Sequence, residues 1–526
     1  MAYTALGIMF PFGIACISII FTITIFGIRR WWAVQCYEYD RLNPPGPRPL
    51  PFLGNIHQVP MDYQYKAFTE WSKVFGDLIF LRLFRKAALI INSTQAAQDL
   101  LEKRGAKYSD RPYFILFSEL IQFEPNVTIM PYGDQWRLHR KWIQASFQDR
   151  AALQSYEPIQ ARETNRLLRA LIESPGDFTA HLKRYVATLM MEITYGHTVT
   201  NLDDDEFIQL ADRAVSGTVE AGSPAAALVD FFPLLKHIPT WMPGAGFKRK
   251  AFEVREYVRQ LQNVPFAKVR NAMAAGIAKP SLLRTLIQDS NVDGFLSPDD
   301  EYNIKGAGSV IYGAGTDTTV TVLISFVLAM VLHPDICQKA QAELDRVLGN
   351  GRLPELIDRD SLPYIDCVLK EVYRWNPPVP LCLPHKLTQD DEYRGFHIPG
   401  QTMIIPNIWG MTRDVETYPE PETFYPERFE EMDKLDADAN DPRNLVFGFG
   451  RRLCPGRQFG DTSVWLAVAN MLAIFEFRKA VNSANEEAEL IPSFVSGTIS
   501  HPRPFSCNIR LRPGRTADLI PVMDYD

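Results

Sequence analysis

Cys454 lies in the segment Phe447-Gly448-Phe449-Gly450-Arg451-Arg452-Leu453-Cys454-Pro455-Gly456, and no other stretch restricts the chain so tightly. Gly448, Gly450 and Gly456 allow tight turns and a close approach of backbone to a flat ligand. Pro455 suits the first position of a helix, where its missing N–H costs nothing. The run from Gln458 to Leu472 has helical apolar spacing. Cys454 therefore falls at a helix N-terminus, where the macrodipole favours a thiolate. Such a thiolate is a natural axial ligand for a haem iron. A buried structural cysteine beside a glycine turn is the plainer reading of the same residues.

Phe447, Gly450, Arg452, Cys454 and Gly456 also fit the pattern F-x-x-G-x-R-x-C-x-G. With this and the motifs below, the chain resembles the cytochrome P450 family, the haem-thiolate monooxygenases, from about residue 44 to residue 512. The resemblance implies haem b, with Cys454 on the iron. Arg452 would reach a propionate through its forked guanidinium, and Phe447 would cover the sulfur. It also implies a fold that is mainly α with small β sheets.

A second motif, Ala314-Gly315-Thr316-Asp317-Thr318-Thr319, lies in a long apolar helical run. Gly306, Gly308, Gly313 and Gly315 crowd that run, although an interior helix glycine costs about 1 kcal/mol against alanine. Missing side chains would let a ligand lie against the helix at Ala314. Thr318 can bond back to a carbonyl one turn earlier, and Asp317 with Thr318 forms an acid–alcohol pair suited to moving protons. The motif is similar to the family's distal-side sequence; a threonine-rich core helix is the bland alternative.

Three further motifs complete the resemblance. Glu371 and Arg374, at i and i+3, can pair on one helix face; by resemblance Arg428, from Pro426-Glu427-Arg428-Phe429, joins them in a buried structural triad. Trp136 and Arg140, at i and i+4, match a W-x-x-x-R motif whose members contact a haem propionate. His385, in Leu383-Pro384-His385, would bond a propionate, or else be an ordinary surface residue. Arg137, His139 and Lys141 would form a basic patch for an acidic flavoprotein, or a solvated basic face.

Length alone, 526 residues, would permit several domains, but no Gly/Ser-rich linker, repeat or charge block divides the chain. The expected division is an anchor at 1–30, a linker with a proline-rich hinge at 31–55, and one catalytic domain at 56–526. A net charge of −7 argues against nucleic acid as the main partner. Seven cysteines without a C-x-x-C pair indicate a reducing, cytosol-facing setting. From Leu6 to Ile28 the chain is mostly apolar and uncharged, long enough for a span that needs about 20 residues. Arg29 and Arg30 follow, so the spacing predicts a single-pass transmembrane helix with the remainder cytosolic, in the endoplasmic reticulum membrane by resemblance. A cleaved signal peptide is the other reading of these residues.

Residues 78–83 and 87–91 read as a β-hairpin, and strand-like pieces return near 382–405 and 490–511. The apolar, proline-broken segment 228–243 resembles the family's loop at the substrate entrance; a packed connector is equally consistent. By family position, residues 109–123, Val310, Ala314, 379–383 and 494–498 would line the substrate pocket. No flavin or nicotinamide fingerprint is visible, so electrons from NADPH must arrive through a separate reductase, NADPH-cytochrome P450 reductase, with cytochrome b5 as a further donor. The expected activity is oxidation of a lipophilic small molecule with O2, as in fungal microsomal members that tailor secondary metabolites. A terpenoid substrate comes first, an aromatic or alkaloid one second. An O2-independent isomerase or dehydratase and a non-catalytic haem sensor are the alternatives.

Overall fold

Helical apolar spacing along the chain folds into a set of long helices whose bounds follow local capping chemistry. They are α1 (Gln64–Phe75), α2 (Asp134–Phe147), α3 (Arg150–Glu173), α4 (Phe178–Tyr195), α5 (Glu206–Ala221), α6 (Gly246–Ala274), α7 (Leu282–Ser290), α8 (Pro298–Leu332), α9 (Pro334–Leu348), α10 (Pro363–Trp375) and α11 (Arg457–Ile474). The computed structural model describes Gly27 and residues 42–199, 206–221, 228–291, 294–481 and 487–521. The expected anchor, Gly27 excepted, and the first part of the linker lie outside the described residues.

The central helix is α8. Ser297 caps it by accepting from the Asp300 N–H, Pro298 occupies its first position, and Asp299, Asp300 and Glu301 load its first turn with negative charge. From Val320 to Val331 it is buried on every side, so its apolar character answers to the core. Among the described residues it is the one helix long and apolar enough to cross a membrane, and 72% of that apolar window is buried in the protein.

The α8 glycines admit neighbouring elements, and of the four only Gly315 also lines the cavity described below. A Cβ at Gly306 would come within 2.2 Å of the Pro125 carbonyl oxygen, and one at Gly315 within 2.5 Å of the Met190 sulfur. Gly308 faces Leu283 and Tyr195, and Gly313 faces Val215. Neighbouring elements therefore approach α8 where side chains are missing.

The sheets are small. Strands β1 (Leu78–Leu83) and β2 (Lys86–Ile91) form the expected hairpin, with β2 starting one residue early. Further along come β3 (His385–Lys386), β4 (Asp391–Tyr393), β5 (Phe396–Ile398), β6 (Met403–Pro406), β7 (Phe475–Lys479) and β8 (Cys507–Leu511). β6 runs parallel to β2 and antiparallel to β3, giving the order β1-β2-β6-β3; β4–β5 and β7–β8 are separate antiparallel pairs. The proline-rich hinge lies on this sheet: the Phe80 N–H donates to the Pro45 oxygen at 3.0 Å, and a Cβ at Gly46 would stand 2.1 Å from the Phe80 oxygen.

The proline-broken segment 228–243 folds as a helical turn (Leu228–Phe231) and a 3-10 turn (Pro233–His237), with Phe232, Leu234, Trp241 and Met242 exposed. Its Phe231 and Phe232 pack on Phe84 at the tip of the β1–β2 hairpin.

Candidate active site

Helix α11 begins at Arg457 with Gly456 as its N-cap, so Pro455 precedes the cap instead of opening the helix. The turn before it closes on itself: the Cys454 N–H donates to the Phe447 oxygen at 2.8 Å. Gly448 and Gly450 adopt φ of +81° and +53°, where a side chain is strained. A Cβ at Gly450 would also strike the Leu101 carbonyl oxygen at 2.2 Å. Gly456 is different: among the described residues nothing lies within 4 Å of a Cβ there. Its N–H bonds the Cys454 sulfur and lowers the thiol pKa, as do Arg140 and Arg457. Burial outweighs them, and the thiol is pushed up from its ordinary value. Coordination to a metal ion would favour the thiolate form there.

Cys454 opens onto a cavity of about 290 Å3 that also meets Phe447, Gly448 and Gly456. The opposite lining comes from Val310, Ala314, Gly315, Thr318 and Thr319 of α8. Helix α2 adds Trp136, Arg140 and Ile143, α4 adds Met190, and the segment after α10 adds Pro378, Val379, Cys382 and Leu383. The segment 494–498 is absent from this lining; Phe494 packs instead on Trp375. Of residues 109–123, only Arg111 lines it.

At one end the cavity meets a cluster of cations. Arg452 donates to the carbonyl oxygens of Ser109 (2.7 Å), Val127 (3.2 Å) and Met130 (2.8 Å), and lies 4.7 Å from the Trp136 ring centroid. Arg140 lies 6.0 Å from the same ring, and its Nε has no hydrogen-bond partner. Arg111, 5% exposed, donates to the carbonyls of Thr128, Leu383 and Pro384. Among the described residues none of these arginines pairs with a carboxylate, and Asp110 is engaged by Lys386. Burial, then repulsion from Arg111, pushes Arg452 down to about 9; burial pushes Arg111 down to about 10. His385 is buried, not on the surface. Its Nδ1 meets the Tyr108 oxygen at 2.8 Å, while Nε2 is buried without a partner among the described residues. Burial, then Arg111, holds its pKa well below the usual value.

Uncompensated buried cations are costly. Buried Arg111 and half-buried Arg140 and Arg452 bordering one apolar cavity, with an orphaned imidazole nitrogen nearby, fit the carboxylates of a haem whose iron would meet Cys454. Arg111 is the member that sequence reasoning missed as a cation; it stands alone in sequence, in no motif. Conversely, His139 does not belong to the expected basic patch. It is fully buried and bonds Asn303 at 2.9 Å, while Arg137 and Lys141 are exposed.

The triad residues meet. Glu371 and Arg374 are fully buried and joined by two 2.7 Å bonds; Arg428 adds Nε at 3.2 Å from the same carboxylate. The Tyr425 N–H also donates to Glu371, and the remaining guanidinium bonds reach carbonyls of Thr412, Pro419, Pro421 and Thr423. Helix α10 also places Tyr373 against Phe447, 5.6 Å between centroids, so the triad's helix backs the cysteine turn.

On α8, Thr318 donates to the Ala314 oxygen at 2.8 Å and lines the cavity. Asp317 does not line it. Its Oδ1 lies 3.3 Å from Nε2 of His501, a residue the motifs did not point to.

Comparison with known proteins agrees with this geometry. Residues 44–505 match the sequence model of the family described as Cytochrome P450. A Postia placenta protein named cytochrome P450 monooxygenase 136 is 49% identical over 496 residues, 94% of this chain and 93% of the relative. Cytochrome P450 monooxygenase claR of Ampulloclitocybe clavipes is 36% identical, covering 92% of this chain and 89% of its own length. Tryptamine 4-monooxygenase of Psilocybe cyanescens is 35% identical over 88% of this chain and 92% of the relative. The chain belongs to the cytochrome P450 family, as a haem b monooxygenase that takes its electrons from a separate reductase.

Proposed function

We propose that the chain oxidises an uncharged lipophilic molecule, a terpenoid skeleton in the first instance, from a cytosol-facing position on the endoplasmic reticulum membrane. The observation that carries the substrate reading is the cavity lining. Apart from the three arginines assigned to the propionates, it is mostly apolar, with Thr128, Thr318, Thr319 and Tyr373 as its hydroxyl-bearing residues, and among the described residues it contains no carboxylate. A protonated amine would leave water for a mostly apolar pocket that offers no carboxylate to balance its charge. That weighs against carrying over the amine substrate in the tryptamine enzyme's name. The membrane reading rests on residues 6–28 and the arginines after them; NADPH-cytochrome P450 reductase and cytochrome b5 are the electron donors it brings within reach.

When bound, haem supplies activation of dioxygen. The chain's part is to hold and orient. Cys454 would hold the iron, and the Gly456 N–H steadies its sulfur. Arg111, Arg140, Arg452, His385 and Trp136 would hold the propionates. Thr318 keeps its hydroxyl hydrogen on the Ala314 carbonyl and leaves oxygen lone pairs for a proton carrier. Asp317, one residue away, would bring protons to it.

Ligand-induced shifts of the haem absorption band test the substrate reading, with sesquiterpenes and tryptamine as probes. Neutral terpenes should shift the band at micromolar concentration and tryptamine should not. Tighter binding of tryptamine below its pKa than of any terpene would reverse the assignment.

A further inference from the structure

His501 reaches Asp317 from the far end of the chain. It lies in the loop closed by the isolated bridge pair Phe494–Pro502, just before β8. The segment is fastened to the core: the Ser500 N–H donates to the Pro378 oxygen at 2.9 Å, and Asn376 donates both to the Ser500 oxygen (2.8 Å) and to Ser325 of α8 (2.9 Å). The imidazole thus arrives at α8 in a fixed place. Nε2 lies 3.3 Å from Asp317 Oδ1, and Nδ1 lies 2.7 Å from the Thr321 hydroxyl. Asp317 and Thr321, at i and i+4, share one helix face and are bridged by one ring.

The hydrogen count is informative. The Thr321 hydroxyl has one hydrogen and sits 2.9 Å from the Asp317 carbonyl oxygen, which can only accept. Spending that hydrogen on the carbonyl leaves the hydroxyl oxygen to accept from Nδ1–H. With Nδ1 protonated, Nε2 faces a carboxylate oxygen, and the contact is favourable only with a further proton between them. His501 and Asp317 are respectively 32% and 28% exposed, so the pair touches both solvent and the helix that lines the cavity. Among the described residues neither enters another ion pair, and the surrounding Thr321, Ser325, Asn376 and Ser500 are neutral.

We propose that His501 is the positioning and proton-supplying partner of Asp317. The ring holds the carboxylate on the α8 face beside the one that lines the cavity and keeps a proton ready for it. In the transfer, the Nε2–H bond breaks and an Oδ1–H bond forms. The imidazole regains a proton from water, and rotation of the Asp317 side chain carries its proton to the Thr318 side. The protons consumed by monooxygenation end in the water released. The inference rests on the reading of Asp317 and Thr318 as proton carriers.

The test uses holoenzyme with a fungal reductase, reading NADPH oxidation without substrate in H2O and D2O. Wild type is compared with H501Q, H501R and D317N, each checked for haem loading by its CO spectrum. H501Q should slow by about tenfold, less than the roughly 10²-fold expected for D317N as the nearer carrier, with an enlarged solvent isotope effect. H501R keeps a cation beside Asp317 but does not release protons, so it should be as slow as H501Q. Nitrogen NMR of histidine-labelled protein in the diamagnetic CO form, assigned by H501Q, should show both His501 ring nitrogens protonated. Wild-type rate and isotope effect in H501R would overturn proton supply and leave only a charge anchor. Normal behaviour of both His501 variants with a slow D317N would overturn the inference alone; a normal D317N would overturn the carrier reading beneath it. A neutral His501 ring would remove the stored proton and sink the proposal.

Discussion

The molecule buries arginines in two places and treats them oppositely. Arg374 and Arg428 are shut away with Glu371, and every fork finds a carboxylate or carbonyl oxygen. Arg111, Arg140 and Arg452 are also withdrawn from water, but among the described residues they have carbonyls and an indole ring and no acid. The first cluster is complete within the chain; the second is complete only with an anionic ligand. Burial of charge thus marks scaffold in one case and a binding site in the other, and the presence of the counter-ion tells them apart.

The largest test of that contrast is Glu371→Gln. It strands two buried guanidinium groups and should cost about 3–5 kcal/mol, read by denaturant unfolding of the apoprotein. A cost below about 1 kcal/mol would mean that the carbonyls alone satisfy the triad. Arg140→Leu should behave in the opposite way. Apoprotein stability should hardly change, while haem should be lost about ten- to hundredfold faster to an acceptor apoglobin, as expected for one charge-assisted bond of about 1.5–3 kcal/mol. Equal haem retention with reduced apoprotein stability would move Arg140 into the scaffold class.

The smallest test uses pH. Burial holds the folded-state pKa of His385 well below its ordinary 6.5. Above 6.5 folded and unfolded chains are both neutral at this ring and nothing is lost. As pH falls through the unfolded value, the unfolded chain takes up a proton that the folded apoprotein refuses, and stability drops by up to about 1.4 kcal/mol per pH unit. His139 and His333 are shifted the same way, so His385→Gln should flatten the slope without abolishing it. Haem should flatten it too, since a propionate favours the protonated ring. An apoprotein slope unchanged by His385→Gln would remove His385 from the anion-seeking cluster.

How much was legible in the sequence follows from distance along the chain. The cysteine turn, Glu371 with Arg374, and Trp136 with Arg140 are each set within a few residues, so spacing carries their geometry. Arg111 and His501 meet partners far away in sequence: His501 is 184 positions from Asp317, and no local pattern encodes such a meeting. For the acid–alcohol pair the sequence shows the two neighbours but not their directions. Successive residues on an α-helix point about 100° apart, so Asp317 and Thr318 cannot both face the cavity. Thr318 does, and Asp317 shares a face with Thr321. The α8 glycines leave their use open in the sequence, because glycine admits a neighbouring helix as readily as a ligand; of the four, Gly315 reaches the cavity.

Arg452 has a consequence for the route by which the protein could change. Its fork fastens three carbonyls between Ser109 and Met130 to the cysteine turn, more than 300 positions away. Lysine would keep the charge but present a single point in place of a planar fork. The two segments would then come apart even where the cavity's electrostatics survived. Arg452 is thus a mechanical joint as well as a charge, and a change there has no conservative form.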